Sequence, residues 1–397
     1  QPTSALDQDW LLDKLNKHLT EEEQEHLDKT ITVQELFTAL TKMKPNRTPG
    51  IDGLPMEFYL TFWPEIKEMF KTVVDDIYTM KSLTPSQSNA ILTLLFKNKG
   101  EREEIKNWRP ISLLCVDYKI ITKALANRLK KHLASLLSAD QTCSVPGRTI
   151  HANLALIRDV IYHATQKKKQ AFVLTLDQEK AFDKVDTAFL DRILHKLNVG
   201  PYFRNWIKII YNNITSQIQN NGYFSPKVHI QRGVRQGCPL SPILYTLIVE
   251  TLAQAIKLDQ TIKGYPIGKR QIKISQYADD TAVILQDKSS YTEAMRVISR
   301  FEKATGSTIN KHKTEGLYIC AKENPYDNMD VTWKNDTNEG LKILGIHFFA
   351  DYNHTIDFNY RQKIKTLKQV LQRWGQRALS KRAKVLVINA LALSKLY

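Results

Sequence analysis

The sequence predicts an α+β chain with more than one lobe. Three observations carry this. At 397 residues the chain exceeds the ~250–300 that one hydrophobic core usually supports. Hydrophobic residues at 42% and charged residues at 25% are close to a globular average and rule out disorder and collagen. Strand-length apolar runs interleave with helix-period stretches, without the regular alternation of a doubly wound sheet.

The elements follow in order. Residues 1–30 carry eight acids against three lysines, a net of −5, and read as an acidic N-terminal connector. Residues 32–44 read as a short helix, with Thr32 as N-cap, Glu35 three residues on, then Leu36, Phe37 and Leu40. The turn cluster from Pro45 to Gly53 ends it. Helical pattern resumes over 55–80. Residues 90–96 form a strand-length apolar run, and 118–137 are periodic and basic. Residues 172–176 are a strand candidate running straight into Asp177. Residues 181–197, 242–258 and 291–305 read as helices. Residues 271–285 read as strand, turn, strand, and 341–349 as a strand.

Charge separates the ends of the chain. Lys and Arg total 57 against 41 Asp and Glu, a net of +16, which points to a polyanionic partner such as nucleic acid or an acidic membrane surface. Residues 361–384 hold nine Lys/Arg and no acid, with Ile364, Leu367, Val370, Leu371 and Trp374 at helical spacing. That one-signed bias suits contact with a nucleic-acid backbone, and a solvated helix face is the alternative. No apolar run approaches the ~18–20 residues needed to span a bilayer, so no membrane partner is expected. Cys115, Cys143, Cys238 and Cys320 lie far apart, with no zinc spacing.

Chemistry concentrates at two places. Tyr277-Ala278-Asp279-Asp280 puts adjacent carboxylates at a hairpin tip between apolar strands. That use of charge is unfavourable unless a cation sits there, although Asp-Asp can also serve simply as turn residues. Asp177 ends an apolar strand, where it would otherwise be a helix N-cap. If adjacent strands of one sheet carry both sites, they can share metal ions ~3.5–4 Å apart. Oxygen ligands with room for phosphate suit magnesium and in-line nucleotidyl transfer.

At these residues the chain resembles the reverse transcriptases of non-LTR retrotransposons, of the long interspersed element type. The resemblance covers roughly residues 30–395, with motifs in the family's order. Residues 47–53 (RTPGIDG) resemble its early finger motif and 107–113 (NWRPISL) its second motif. Residues 176–183 (LDQEKAFD) resemble the first catalytic motif, 233–242 (GVRQGCPLSP) the template and nucleotide-binding motif, and 277–280 (YADD) the second catalytic motif. Residues 310–314 carry the later lysine motif, and 341–345 (LKILG) the primer-grip strand.

The resemblance implies a right-hand polymerase: fingers and palm over 31–354, the palm built on an antiparallel sheet, and a basic helical thumb starting at 355 and cut at 397. It implies RNA-directed DNA synthesis, with dNTPs added to the 3′-OH of a DNA primer on an RNA template, in target-primed retrotransposition. Asp177, Asp279 and Asp280 would be catalytic and hold two Mg²⁺, with Mn²⁺ as substitute. Arg109, Lys97, Phe182, Gln236, Gly237 and Lys313 would bind nucleotide, Phe182 by rejecting a 2′-OH; Lys311 is a rival to Lys313. Tyr277, Leu344, Gly345, Arg373 and Arg377 would meet primer or template. An upstream endonuclease domain of the same polyprotein is expected beyond residue 1, and a nuclear location, with a cytoplasmic ribonucleoprotein stage. A non-catalytic RNA-binding derivative and a group II intron-like maturase reverse transcriptase are the alternatives. The first would have lost one of Asp177, Asp279, Asp280, Arg109 or Gln236, and all are present.

Overall fold

In a computed structural model the chain is described over residues 3–98, 100–179, 181–310, 314–320, 331–335 and 338–393. Two five-stranded sheets organise it. The first runs Trp108–Leu113, Asn89–Phe96, Thr215–Asn220, Tyr223–Phe224, with Val228–His229 also pairing on Thr215–Asn220. The second runs Ile274–Tyr277, Asp280–Leu285, Ala171–Leu176, Glu315–Ile319, Thr332–Trp333. Its first four strands are antiparallel, but the edge strand Thr332–Trp333 joins in parallel, so the expected all-antiparallel sheet is mixed.

The second sheet is covered on both faces, which is why Ala171–Leu176 reads as a continuous apolar run. Period-two alternation sorts its side chains. Phe172, Leu174 and Leu176 enter the main core, while Ala171 and Val173 enter a second, smaller one. The main core is filled by the helices Ser241–Leu258 and Lys288–Thr305 among others. The smaller core is closed by Ile157, Val160, Ile161 and Ala164 of the helix Ile150–Lys167. Ser241–Leu258 is buried nearly all round, polar Thr246, Glu250, Thr251 and Gln254 included, as in a core helix. Among the described residues, no helix is long and apolar enough to cross a membrane.

Local signals in the sequence account for most element ends. Thr32 and Glu35 form a capping box on Val33–Thr41, and Thr20 and Glu23 form another on Glu21–Asp28. The periodic stretch 181–197 is not one helix. A 3₁₀ turn, Ala181–Lys184, is followed by Thr187–Lys196, whose N-cap Asp186 accepts from the amides of Ala188 and Phe189. Over 270–277 the strand is broken at Lys273, whose ammonium turns inward to donate to the carbonyls of Lys257 and Asp259.

The acidic start is packed rather than strung out. Leu11, Leu19, Leu27 and Ile31 are fully buried in the main core. The amide of Ser4 donates to Lys303 O (2.9 Å), and Gln8 Nε2 to Ala304 O (2.9 Å). The basic end is a 24-residue helix, Tyr352–Gly375, followed by Lys381–Val387. Asn359 roots the longer helix by accepting from the amide of His347 and donating to its carbonyl. Most of its remaining surface faces solvent.

Candidate active site

Antiparallel register brings the three aspartates to one end of the second sheet. Thr281 pairs with Leu176, so Asp280 and Asp177 face each other one step beyond the paired residues. Tyr277 pairs with Asp280, leaving Ala278-Asp279 as a two-residue hairpin loop. Ala278 takes a left-handed φ of 55° to close it. Asp279 in the loop and Asp280 at the start of the next strand thus both reach the cleft that Asp177 lines. The cleft holds about 210 Å³ and is also lined by Tyr277, Asn153, Glu315, Lys342 and Leu344.

Polar side chains from the segment before the central strand lock this hairpin. Gln141 Oε1, fully buried, accepts from the amides of Ala278 (3.1 Å) and Cys143 (2.9 Å). Asn153 Nδ2 donates to Ser275 Oγ (2.9 Å) and Gln276 O (3.0 Å). The amide of Gln276 donates to Asp140 O, and that of Thr142 to Gln276 O. A left-handed non-glycine loop held by so many partners is pre-organised.

Electrostatics favour a cation here. Desolvation by the cleft wall pushes the half-buried Asp279 carboxyl above its usual range. The negative Asp177 adds to this, while its own backbone amide and the Arg109 guanidinium pull it back. Asp280, more open at the mouth, is raised by desolvation, then by Asp279 and Asp177. A divalent cation would relieve this repulsion, and three hard oxygen donors match magnesium or manganese. The three carboxylates do not crowd into a single cage. Among the described residues, the one trio whose ligand atoms all lie within 4.8 Å of one another is Asp52, Cys115 and Asp117.

The structure disperses the other candidates. Arg109 projects from the first sheet near enough for its charge to act on Asp279. Phe182, on the 3₁₀ turn after Asp177, stacks on Tyr245 at 4.7 Å and 20°. Gln236 Nε2 donates to Asp183 Oδ1 (3.3 Å), and its carbonyl accepts from the amide of Ser112 (3.1 Å). Gly237 has φ 112°, and a Cβ there would lie 2.7 Å from Ser112 O, so only glycine lets the loop approach this strand. Leu344-Gly345 is not strand but the turn between Leu341–Ile343 and Ile346–Phe348, both residues left-handed (φ 49° and 88°). Leu344 lines the cleft; Gly345 does not.

Lys97 does not line the cleft: its ammonium donates to Lys106 O (2.7 Å) in the same loop. Arg373 and Arg377 are exposed on and just after the C-terminal helix, Arg377 lying over Trp374 at 4.4 Å, and they take no part in the cleft. Lys313 and its rival Lys311 lie outside the described residues.

Four supporting residues were not singled out from the sequence: Gln141, Asn153, Tyr245 and Arg235. Tyr245 backs Phe182 and donates to Gln178 Oε1 (2.5 Å), tying that ring to the residue after Asp177. Arg235 is buried, donates to the carbonyls of Gln87 (2.9 Å) and Ser88, and lies over Tyr118, anchoring the Gln236-Gly237 loop. Only Tyr245 sits in an apolar run; Gln141 and Arg235 lie in polar segments whose sequence carries no such signal.

The family model described as reverse transcriptase (RNA-dependent DNA polymerase) matches residues 96–348. The chain belongs to that family. Within it, the chain is a reverse transcriptase domain related to those of non-LTR retrotransposons. It is 34% identical over 384 residues to the Transposon TX1 uncharacterized 149 kDa protein of Xenopus laevis, covering 96% of this chain and 29% of that protein. It is 25% identical over 335 residues to the Retrovirus-related Pol polyprotein from type-1 retrotransposable element R2 of Popillia japonica (82% and 46%). It is 23% identical over 269 residues to the RNA-directed DNA polymerase from mobile element jockey of Drosophila melanogaster (65% and 28%). The chain spans less than half the length of each of these relatives.

Proposed function

We propose that this domain copies RNA into DNA by two-metal nucleotidyl transfer at Asp177, Asp279 and Asp280. The observation that carries the reading is the register that sets Asp177 opposite Asp280 on adjacent strands, with Asp279 in the hairpin loop just before Asp280. In this reading the second sheet and its helices are the palm, the first sheet belongs to the fingers, and the basic helix from Tyr352 begins the thumb. The names of the R2 and jockey proteins support RNA as template and a retrotransposition role, for which a nuclear site of action follows.

The aspartates would hold two Mg²⁺, or Mn²⁺ in their place. Bound there, the ions would activate the primer hydroxyl and stabilise charge on the leaving pyrophosphate. The chain's own residues do the rest. Arg109 offers a planar fork to the triphosphate oxygens. Phe182, held against Tyr245, fills the space that a 2′-OH needs. The Gln236-Gly237 loop, tied to Ser112 and Asp183, lets backbone approach the nascent base pair. RNA is gripped through phosphate and 2′-OH rather than read by sequence.

The test is extension of a DNA primer on an RNA template with Mg²⁺ and dNTPs. Asp279→Asn is expected to cut the rate by on the order of 10²–10³-fold or more. Its thermal stability should hold or rise, because the substitution removes a carboxylate whose charge the cleft disfavours. An Asp279→Asn protein that extends at the parent rate would refute the assignment.

A further inference from the structure

The loop that carries Asp279 is not one that its own residues favour. Two-residue hairpin loops need left-handed backbone, which Asn-Gly supplies most readily. Here the first loop residue is Ala278, at φ 55°. An L side chain is disfavoured in that conformation. It has to be imposed from outside the hairpin.

Gln141 supplies the hold. It is fully buried, and its Oε1 accepts from the amide of Ala278 (3.1 Å) and from that of Cys143 (2.9 Å). Its Nε2 has no hydrogen-bond partner among the described residues. The acceptor oxygen is therefore the end of this side chain that matters.

The backbone around Gln141 is fixed independently of the loop. Glu250, buried on the helix Ser241–Leu258, accepts from the amide (2.9 Å) and the hydroxyl (3.1 Å) of Ser138. Arg148 donates to the carbonyls of Ser138 and Gln141. Lys17 donates to Leu137 O (2.7 Å), and Lys257 pairs with Asp140. Residues 137–141 are thus a brace fastened from distant parts of the chain. Gln141 also bridges in parallel to Gln276, so the brace meets the hairpin at its strand as well as at its loop.

We infer that Gln141 is a positioning residue for the metal site: its Oε1 fixes the Ala278 peptide and, through it, the place of the Asp279 carboxylate in the cleft. The inference rests on the two-metal reading above and names a residue that sets its geometry. Gln141 does not line the cleft, so it acts through the loop and not on a substrate. Partners that orient a metal ligand govern affinity for the ion, and losing one typically costs about 10–100-fold.

The experiment compares the parent with Gln141→Met and Gln141→Glu. Methionine keeps the length and drops the acceptor. Glutamate keeps an acceptor oxygen and drops only the unpartnered Nε2. The first readout is hydrogen exchange at the Ala278 amide, without metal or nucleotide. Exchange should quicken by about tenfold or more in Gln141→Met and stay at the parent rate in Gln141→Glu. The second is primer extension against Mg²⁺ concentration. Half-saturating Mg²⁺ should rise about 10–100-fold in Gln141→Met, with KM for dNTP at saturating Mg²⁺ unchanged, and should not rise in Gln141→Glu. Should Gln141→Met not fold, Gln141→Asn, which retracts the same amide by one methylene, carries both readouts.

Unchanged exchange at Ala278 would overturn the inference. So would an unchanged Mg²⁺ half-saturation with the rate lowered equally at every concentration, which is what a merely structural role gives. A Gln141→Glu protein as impaired as Gln141→Met would overturn it too. Asp279→Asn separates the two readings: if it extends at the parent rate the cleft assignment fails, while exchange at Ala278 still reports on the brace alone.

Discussion

The two ends of the chain carry opposite charge and use it in opposite ways. At the acidic end Asp7 is buried and Glu23 and Asp28 are half-buried, while Asp9, Asp13, Glu21, Glu22 and Glu25 stay exposed. Asp7 pairs with Arg300 (2.7 Å), which also lies over Trp10 at 3.9 Å. Asp9 pairs with Arg192. Asp28 accepts from the amides of Tyr202 (3.2 Å) and Phe203 (3.1 Å) at the start of the helix Pro201–Tyr211, where the dipole favours an anion. At the basic end Arg373 and Arg377 are exposed and, among the described residues, make no ion pair. A run of like charge is therefore structural when its partners lie elsewhere in the fold, and partner-seeking when the fold offers none.

The largest expected effect is on the inward side. Arg128, buried, donates to the carbonyls of Leu27, Lys29 and Thr30 and pairs with Glu35, so it fastens the exit of the acidic segment. Arg128→Ala strands the Glu35 charge and leaves three carbonyls short of a donor. Urea titration should report a loss of about 3–5 kcal/mol. A loss below about 1 kcal/mol would mean that the segment is not anchored there.

Acid should reveal the same contact. Glu35 is held at about 2 against a usual 4.5; burial opposes this, and the hydrogen bonds from Arg128 and Thr32 outweigh it. The folded pKa is the lower one, so the stabilisation is complete above pH 4.5 and is lost as pH falls from there toward 2. With one side of Glu35 open to water, the contribution is on the order of 2 kcal/mol. Denaturation followed from pH 6 to pH 3 should show it in the parent and not in Glu35→Gln.

On the outward side the expected effects are on binding and not on folding. Arg373→Glu/Arg377→Glu should leave thermal stability unchanged. It should weaken template–primer binding by about tenfold and lower the salt slope by about 1–2. An unfolded double variant would show that the helix is structural after all. The smallest effect belongs to Asp9→Asn. Its partner Arg192 is open to solvent, so stability should move by no more than about 0.5–1 kcal/mol, measured by the same urea titration.

The sequence showed what is local. Thr32 and Glu35 announce a helix start within four residues, and an apolar strand running into Asp177 is visible as written. The hairpin at Asp279-Asp280 was legible from flanking strands alone. What it hid depends on distant partners. Nothing near Gln141 says that its amide caps a loop at Ala278, and nothing near Tyr245 says that it backs Phe182. The acidic segment was read as a connector because charge outweighed pattern, yet Leu11, Leu15, Leu19, Leu27 and Ile31 already marked a buried face. Leu344-Gly345 was read as strand although a glycine before a new apolar run also signals a turn.

The most direct measurement is an anomalous-scattering map of the domain crystallised with Mn²⁺, an RNA template, a DNA primer and an incoming nucleotide analogue. Two peaks roughly 3.5–4 Å apart, bounded by Asp177, Asp279 and Asp280, are expected. Absence of density there, or a lone peak at Asp52, Cys115 and Asp117, would contradict the assignment of the cleft as the catalytic centre.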